Sequence, residues 1–180
     1  IRLLLILSFI AVVLSMPYGM LMPVFADTVL KVGTRGMGIL MSVSGIGAIV
    51  GSITLASLPN KKRGIMLLAG GIFLGIALTA FAFSNVWTLS LVLIAFVGLG
   101  GTVRMSLTNT LIQYYVEDEY RGRVMSLFMM QFGLSSFGTF VAGLVAEAYG
   151  AQWAVGSFAM VLIVLSIGAL IILPQIRKLD

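Results

Sequence analysis

Residues 59–87 read PNKKRGIMLLAGGIFLGIALTAFAFSNVW: three consecutive bases, a run from 64 to 83 without a charge, two polar residues and, after Val86, a tryptophan. A helix on a soluble domain carries a polar face opposite its apolar stripe. This run offers Thr79 as its one polar side chain and has no such face. At 1.5 Å per residue, about 20 helical residues cross the roughly 30 Å hydrocarbon core of a bilayer. The stretch therefore predicts a membrane span, bases at one end and an interfacial tryptophan beyond the other.

The pattern continues in both directions. Spans are predicted at about 3–25, 36–58, 64–83, 87–116, 123–147 and 152–173, giving an all-α membrane protein of six transmembrane helices in one domain, residues 1–180. Apart from charges at their very ends, only Arg104 falls inside a span. Over the whole chain 60% of residues are hydrophobic and 9% charged, against about a quarter charged in soluble domains. Mean hydropathy is +1.14. Arg2 followed by an apolar run resembles a secretory signal, but the run is long, contains Pro17 and Pro23, and lacks an A-x-A cleavage site. The short connections leave no room for a soluble domain.

Cysteine and histidine are both absent. That removes disulfides, Cys/His metal sites, haem ligation and every Ser-His or Cys-His catalytic pair. No enzyme, no cofactor and no metal is expected. The net charge of +5 comes from bases placed between spans, which excludes a nucleic-acid-binding face. Arg2, Lys61, Lys62, Arg63, Arg121, Arg123, Arg177 and Lys178 fall on one side and Lys31 and Arg35 on the other. Eight against two places both termini in the cytoplasm. Trp87 and Trp153 both start spans at the outer side.

Polar side chains are unevenly shared. The third and sixth spans have few, so both are expected at the periphery; the fourth and fifth have many and, with the first and second, are expected at the centre. On the fourth, Thr102, Ser106, Asn109 and Gln113 form one stripe about 60° wide, and Arg104 projects roughly opposite. Two such faces cannot both line one narrow path. The stripe reads either as a substrate path or as interhelical hydrogen bonding. Arg104 reads either as a functional charge or as a residue snorkelling to the inner headgroups. Pro17 and Pro23 are expected to bend the first span. Gly47/Gly51, Gly71/Gly75 and the repeat Ser135, Thr139, Gly143 are expected to let helices approach. Asp27 and Glu147, at outer helix ends, are candidate proton sites, which with Arg104 make up a possible charge relay; the alternative is plain interfacial residues.

The stretch 113–127, QYYVEDEYRGRVMSL, resembles the cytoplasmic loop between the fourth and fifth helices of the C-terminal half of major facilitator superfamily transporters, nearest the branch of the enterobactin exporter and macrolide-efflux proteins. Val116, Glu119, Arg121, Gly122, Arg123, Val124, Ser126 and Leu127 match that pattern; Glu117 stands where the family usually has Pro. GTFVAGLVAEAYG, ending at Gly150, fits as well, and LPNKKRG at 58–64 keeps the bases of a second family loop without its acid. The resemblance implies half of a twelve-helix bundle, built as a 3+3 inverted repeat. A chain that begins at Ile1 is expected to be a fragment or the product of a truncated gene. Its partners would be the lipid bilayer, a missing N-terminal half or a second copy of itself, and a small-molecule substrate, with no nucleic acid. The function implied is secondary transport, efflux of an amphiphilic molecule by an antiporter in a bacterial inner membrane. The other reading is a six-span scaffold that docks a partner. The implied path runs along the first, second, fourth and fifth helices: Tyr18, Thr102, Ser106, Asn109, Gln113, Gln131 and Ser135. Arg121, Arg123 and Glu119 are implied in gating at the cytoplasmic loop.

Overall fold

The computed structural model describes residues 2–58 and 62–177. Eight α-helices run through them: α1 (Arg2–Ser15), α2 (Pro17–Val24), α3 (Gly33–Ser57), α4 (Arg63–Ala82), α5 (Trp87–Tyr115), α6 (Arg121–Tyr149), α7 (Ala151–Ile172) and the short α8 (Pro174–Arg177). A π-helical turn, Phe25–Val29, extends α2, and a 3₁₀ turn, Asp118–Tyr120, precedes α6. No strand occurs among the described residues. Six stretches are long and apolar enough to cross a bilayer: Arg2–Val29, Gly33–Ser57, Arg63–Ala82, Trp87–Tyr115, Asp118–Tyr149 and Ala151–Ile172. The first, second and fifth overrun the expected spans by three to five residues at one end, where polar interfacial residues such as Thr34 and Arg121 remain helical past the apolar run; the other three differ by no more than one residue at either end. Pro59, Asn60, Lys61 and Lys178, used in the loop and topology readings, lie outside the described residues.

The first span bends where proline demands it. Pro17 has no N–H, so the Val13 carbonyl loses its helical donor. The chain tightens there with Gly19 N–H donating to the Met16 carbonyl at 3.1 Å. Pro23 repeats the effect two residues before the π-helical turn, which closes with Leu30 N–H on the Phe25 carbonyl at 2.9 Å.

Each span has one principal neighbour: the first (α1) packs with the fifth (α6), the second (α3) with the fourth (α5), and the third (α4) with the sixth (α7), while α4 also lies closely along α5. Exchanging spans 1–3 with 4–6 maps this set of pairs onto itself, as a 3+3 inverted repeat requires. Glycine makes the close approaches. A Cβ on Gly47 or Gly51 would collide with the Ala95 or Leu99 carbonyl, and one on Gly98 with the Ser44 carbonyl. Across the third pair, a Cβ on Gly71 would lie 2.7 Å from Ser166 Oγ and one on Gly75 2.5 Å from the Ile163 side chain. Both expected Gly-x-x-x-Gly pairs are therefore helix contacts. The repeat Ser135, Thr139, Gly143 is not: Gly143 has open space around it. The contact on α6 is made by Gly138, whose Cβ would lie 2.5 Å from the carbonyl that Pro17 deprives of its donor, Val13 O.

The third span, expected at the periphery, is the most enclosed of the six: 56% of its apolar window is buried, against 17% for the second and 22% for the fifth. Few polar groups means few groups that need water or a ligand, so α4 fills the bundle interior. Leu74, Leu78 and Phe81 from α4 meet Phe25, Ile94 and Leu162 in the larger core cluster. Phe81 and Phe25 stack with centroids 5.4 Å apart. A second cluster joins Leu4, Leu67, Leu107, Leu111 and Phe128 at the other end. α8 closes that end, with Ile176 buried against Leu68 and Ala169.

Candidate functional site

A half-open cleft of about 330 Å³ lies between the bend of the first span, α3, α5 and α6. The bend contributes Ser15, Met16 and Tyr18; α3 contributes Ser44, Gly45 and Ala48; α6 contributes Phe132. From α5 come Val97, Gly98, Gly101, Thr102, Arg104 and Met105, and Leu74 of α4 closes the back. Tyr18 from the bend and Ser44 from α3 both face this cleft.

Thr102 and Arg104 were expected on opposite faces, only one of them toward a path. Both border the cleft. At 100° per residue, the α5 positions that line it cover an arc of about 160°, with Thr102 and Arg104 at its two edges. Within that arc Gly101 has open space where a side chain would stand, whereas Gly98 is packed against the Ser44 carbonyl of α3. The stripe separates below Thr102. Ser106, Asn109 and Gln113 continue toward the C-terminal end of α5, outside the cleft lining. There Gln113 Nε2 donates to Asn109 Oδ1 on the same helix.

Arg104 is 6% exposed. Its side chain is enclosed by the bundle, bordered by residues of α1, α4 and α7 as well as of α5. Besides the cleft it borders a smaller void of about 40 Å³ lined by Ser8, Ala11, Gly71 and Ser166 among others. Its Nε has no hydrogen-bond partner. Arg121 Nη2 forms an ion pair with Asp118 Oδ1 at 2.5 Å, far from Arg104 on the loop before α6.

The remaining expected residues do not join this group. Gln131 is fully buried, and its Oε1 accepts a 2.7 Å hydrogen bond from Ser8 Oγ, so it ties α6 to α1; its Nε2 is unpartnered. Ser135 donates to the Phe132 carbonyl on its own helix at 2.6 Å. Arg121 takes Asp118, not Glu119, as its partner, and Glu119 and Arg123 are exposed. Asp27 and Glu147 are exposed and form no ion pair with Arg104, so no relay is assembled. Ser44, Ser15, Met105 and Phe132 line the cleft without having been singled out. Ser44 had a readable signal: it stands one turn before Gly47, on the small-residue face of the second span.

The family model described as Major Facilitator Superfamily matches residues 4–179. Among curated proteins, the staphyloferrin A transporter of Staphylococcus aureus (strain NCTC 8325 / PS 47) is 26% identical over 147 residues, covering 81% of this chain and 36% of that protein. The multidrug efflux pump Tap of Mycolicibacterium fortuitum is 29% identical over 144 residues, 79% of this chain and 35% of that protein. The chain thus spans about a third of the length of each relative.

Proposed function

This chain belongs to the Major Facilitator Superfamily, and on that premise we propose that it is the C-terminal six-helix half of a secondary transporter that exports an amphiphilic small molecule by ion antiport. The observation that carries the reading is the cleft itself: hydroxyls and one buried cation set in an apolar bundle, bordered by α3 and α6, the two least enclosed spans. Exposed faces on those two helices suit a second six-helix half across the cleft, the arrangement in which two halves rock about a central site. The relatives' names, one a transporter and one an efflux pump, support transport and, in the second case, its outward direction. A family of transporters also points away from an enzyme. The Lys/Arg bias supports cytoplasmic termini in a bacterial inner membrane.

The test is flux. The protein, assembled with its other half in sealed proteoliposomes, should move a dansyl-labelled amphiphile when an ion gradient is imposed and stop when an ionophore collapses it. Correct insertion and probe binding without gradient-dependent flux would instead describe a scaffold.

A further inference from the structure

Arg104 is a charge without a counter-charge. A guanidinium stays ionised and presents five donors. Burying it without a partner is costly, because neither water nor an opposite charge replaces its hydration. Its Nε is buried and makes no hydrogen bond. The acidic residues among the described ones do not supply the missing charge. Asp27, Glu117, Asp118, Glu119 and Glu147 are all exposed outside the bundle interior, and Asp180 lies outside the described residues.

Its surroundings indicate what the guanidinium meets. Arg104 borders the cleft together with the hydroxyls of Tyr18, Ser44 and Thr102. Arginine matches the planar, two-oxygen edge of a carboxylate, and hydroxyl donors can complete its shell. Among the described residues no second base lines the cleft, so this half offers a single positive charge. Around these groups stand Met16, Met105 and Phe132, adaptable apolar side chains suited to an organic body. We propose that Arg104 anchors a carboxylate of the transported molecule, and that the cleft takes amphiphilic monoanions. The inference rests on the transport reading and narrows it to a substrate class. A carboxylate side chain from the other half of the protein offers the same chemistry, and the two sources give different results.

The full transporter in lipid nanodiscs is titrated by fluorescence with 11-(dansylamino)undecanoate and with the corresponding uncharged amide. The wild-type protein is expected to favour the carboxylate by on the order of tenfold, the scale of one hydrogen bond to a charged group. Arg104→Gln is expected to bring that ratio near one, and Arg104→Lys to restore part of it. Melting temperatures of both variants are read in parallel. Equal binding of the two probes by the wild-type protein overturns the proposal. So does a ratio that survives Arg104→Gln while the melting temperature falls, which would assign the counter-charge to the protein's own other half. Gradient-driven flux separates the two levels of inference: movement of the amide without any carboxylate preference removes the anion site and leaves transport standing. An Arg104-dependent preference in binding, with neither probe moved, removes transport and leaves the site.

Discussion

Ser8 and Gln131 show how a polar residue in a membrane helix can be structural. The pair is buried, and the hydroxyl of one completes the amide oxygen of the other. Ser8→Ala removes the donor and strands that oxygen, for a loss of about 1 kcal/mol, the scale of interhelical hydrogen bonds in membrane bundles. A thermal melt in detergent should show a lowered midpoint. Combining Ser8→Ala with Gln131→Leu removes both partners and should recover most of the loss, so the effects should not add. Additive losses would mean that the two side chains do not act on each other. Gln131 illustrates what composition cannot reveal: its polarity was legible, its partner was not, because the partner is 123 positions away.

At the scale of helices, close approach is carried by particular glycines. Gly138→Ala would press a methyl group against the Val13 carbonyl and is expected to cost about 1–3 kcal/mol, as overpacking generally does. Gly143→Ala, five residues along the same helix, meets open space and should leave the melting temperature unchanged or raise it slightly. The reverse order of effects would restore the spacing rule that the structure replaced. The loop before α6 behaves differently. The exposed Arg121–Asp118 pair is worth about 0–1 kcal/mol. Changing Arg121 and Arg123 to Ala should therefore leave insertion and melting nearly intact. If the family's loop gates here, flux through the full transporter should fall, measured as initial rate; unchanged flux would reduce the motif to a topology signal.

For the molecule as a whole, the alternation of spans puts Asn85 and Tyr149 at one end and Glu117 at the other. Gln152 Nε2 donating to Asn85 Oδ1 at 2.9 Å brings the connections at the first of these ends together. Because cysteine is absent, single cysteines can be introduced without background. Asn85→Cys and Tyr149→Cys should label from outside intact cells with a membrane-impermeant maleimide, and Glu117→Cys only after permeabilisation. The opposite pattern would invert the bundle. The two least enclosed spans, α3 and α6, border the cleft, which fits the second half proposed to lie across it.

Number, length and order of the spans were written in the chain, because the bilayer imposes a simple requirement: about 20 apolar residues between polar breaks. Gly47/Gly51 and Gly71/Gly75 were legible for a similar reason, since spacing alone puts two small residues on one face. The cleft was decided only by tertiary structure. Thr102 and Arg104 lie far apart on a helical wheel, and they come to border one space because Gly101 between them leaves room and the first span and α3 bring Tyr18 and Ser44 to the same cleft. The enclosure of α4 was equally hidden, since an apolar helix reads the same whether it faces lipid or fills a bundle. Which of its faces meets protein depends on partners that are distant in sequence, and hydrophobicity alone does not choose among them.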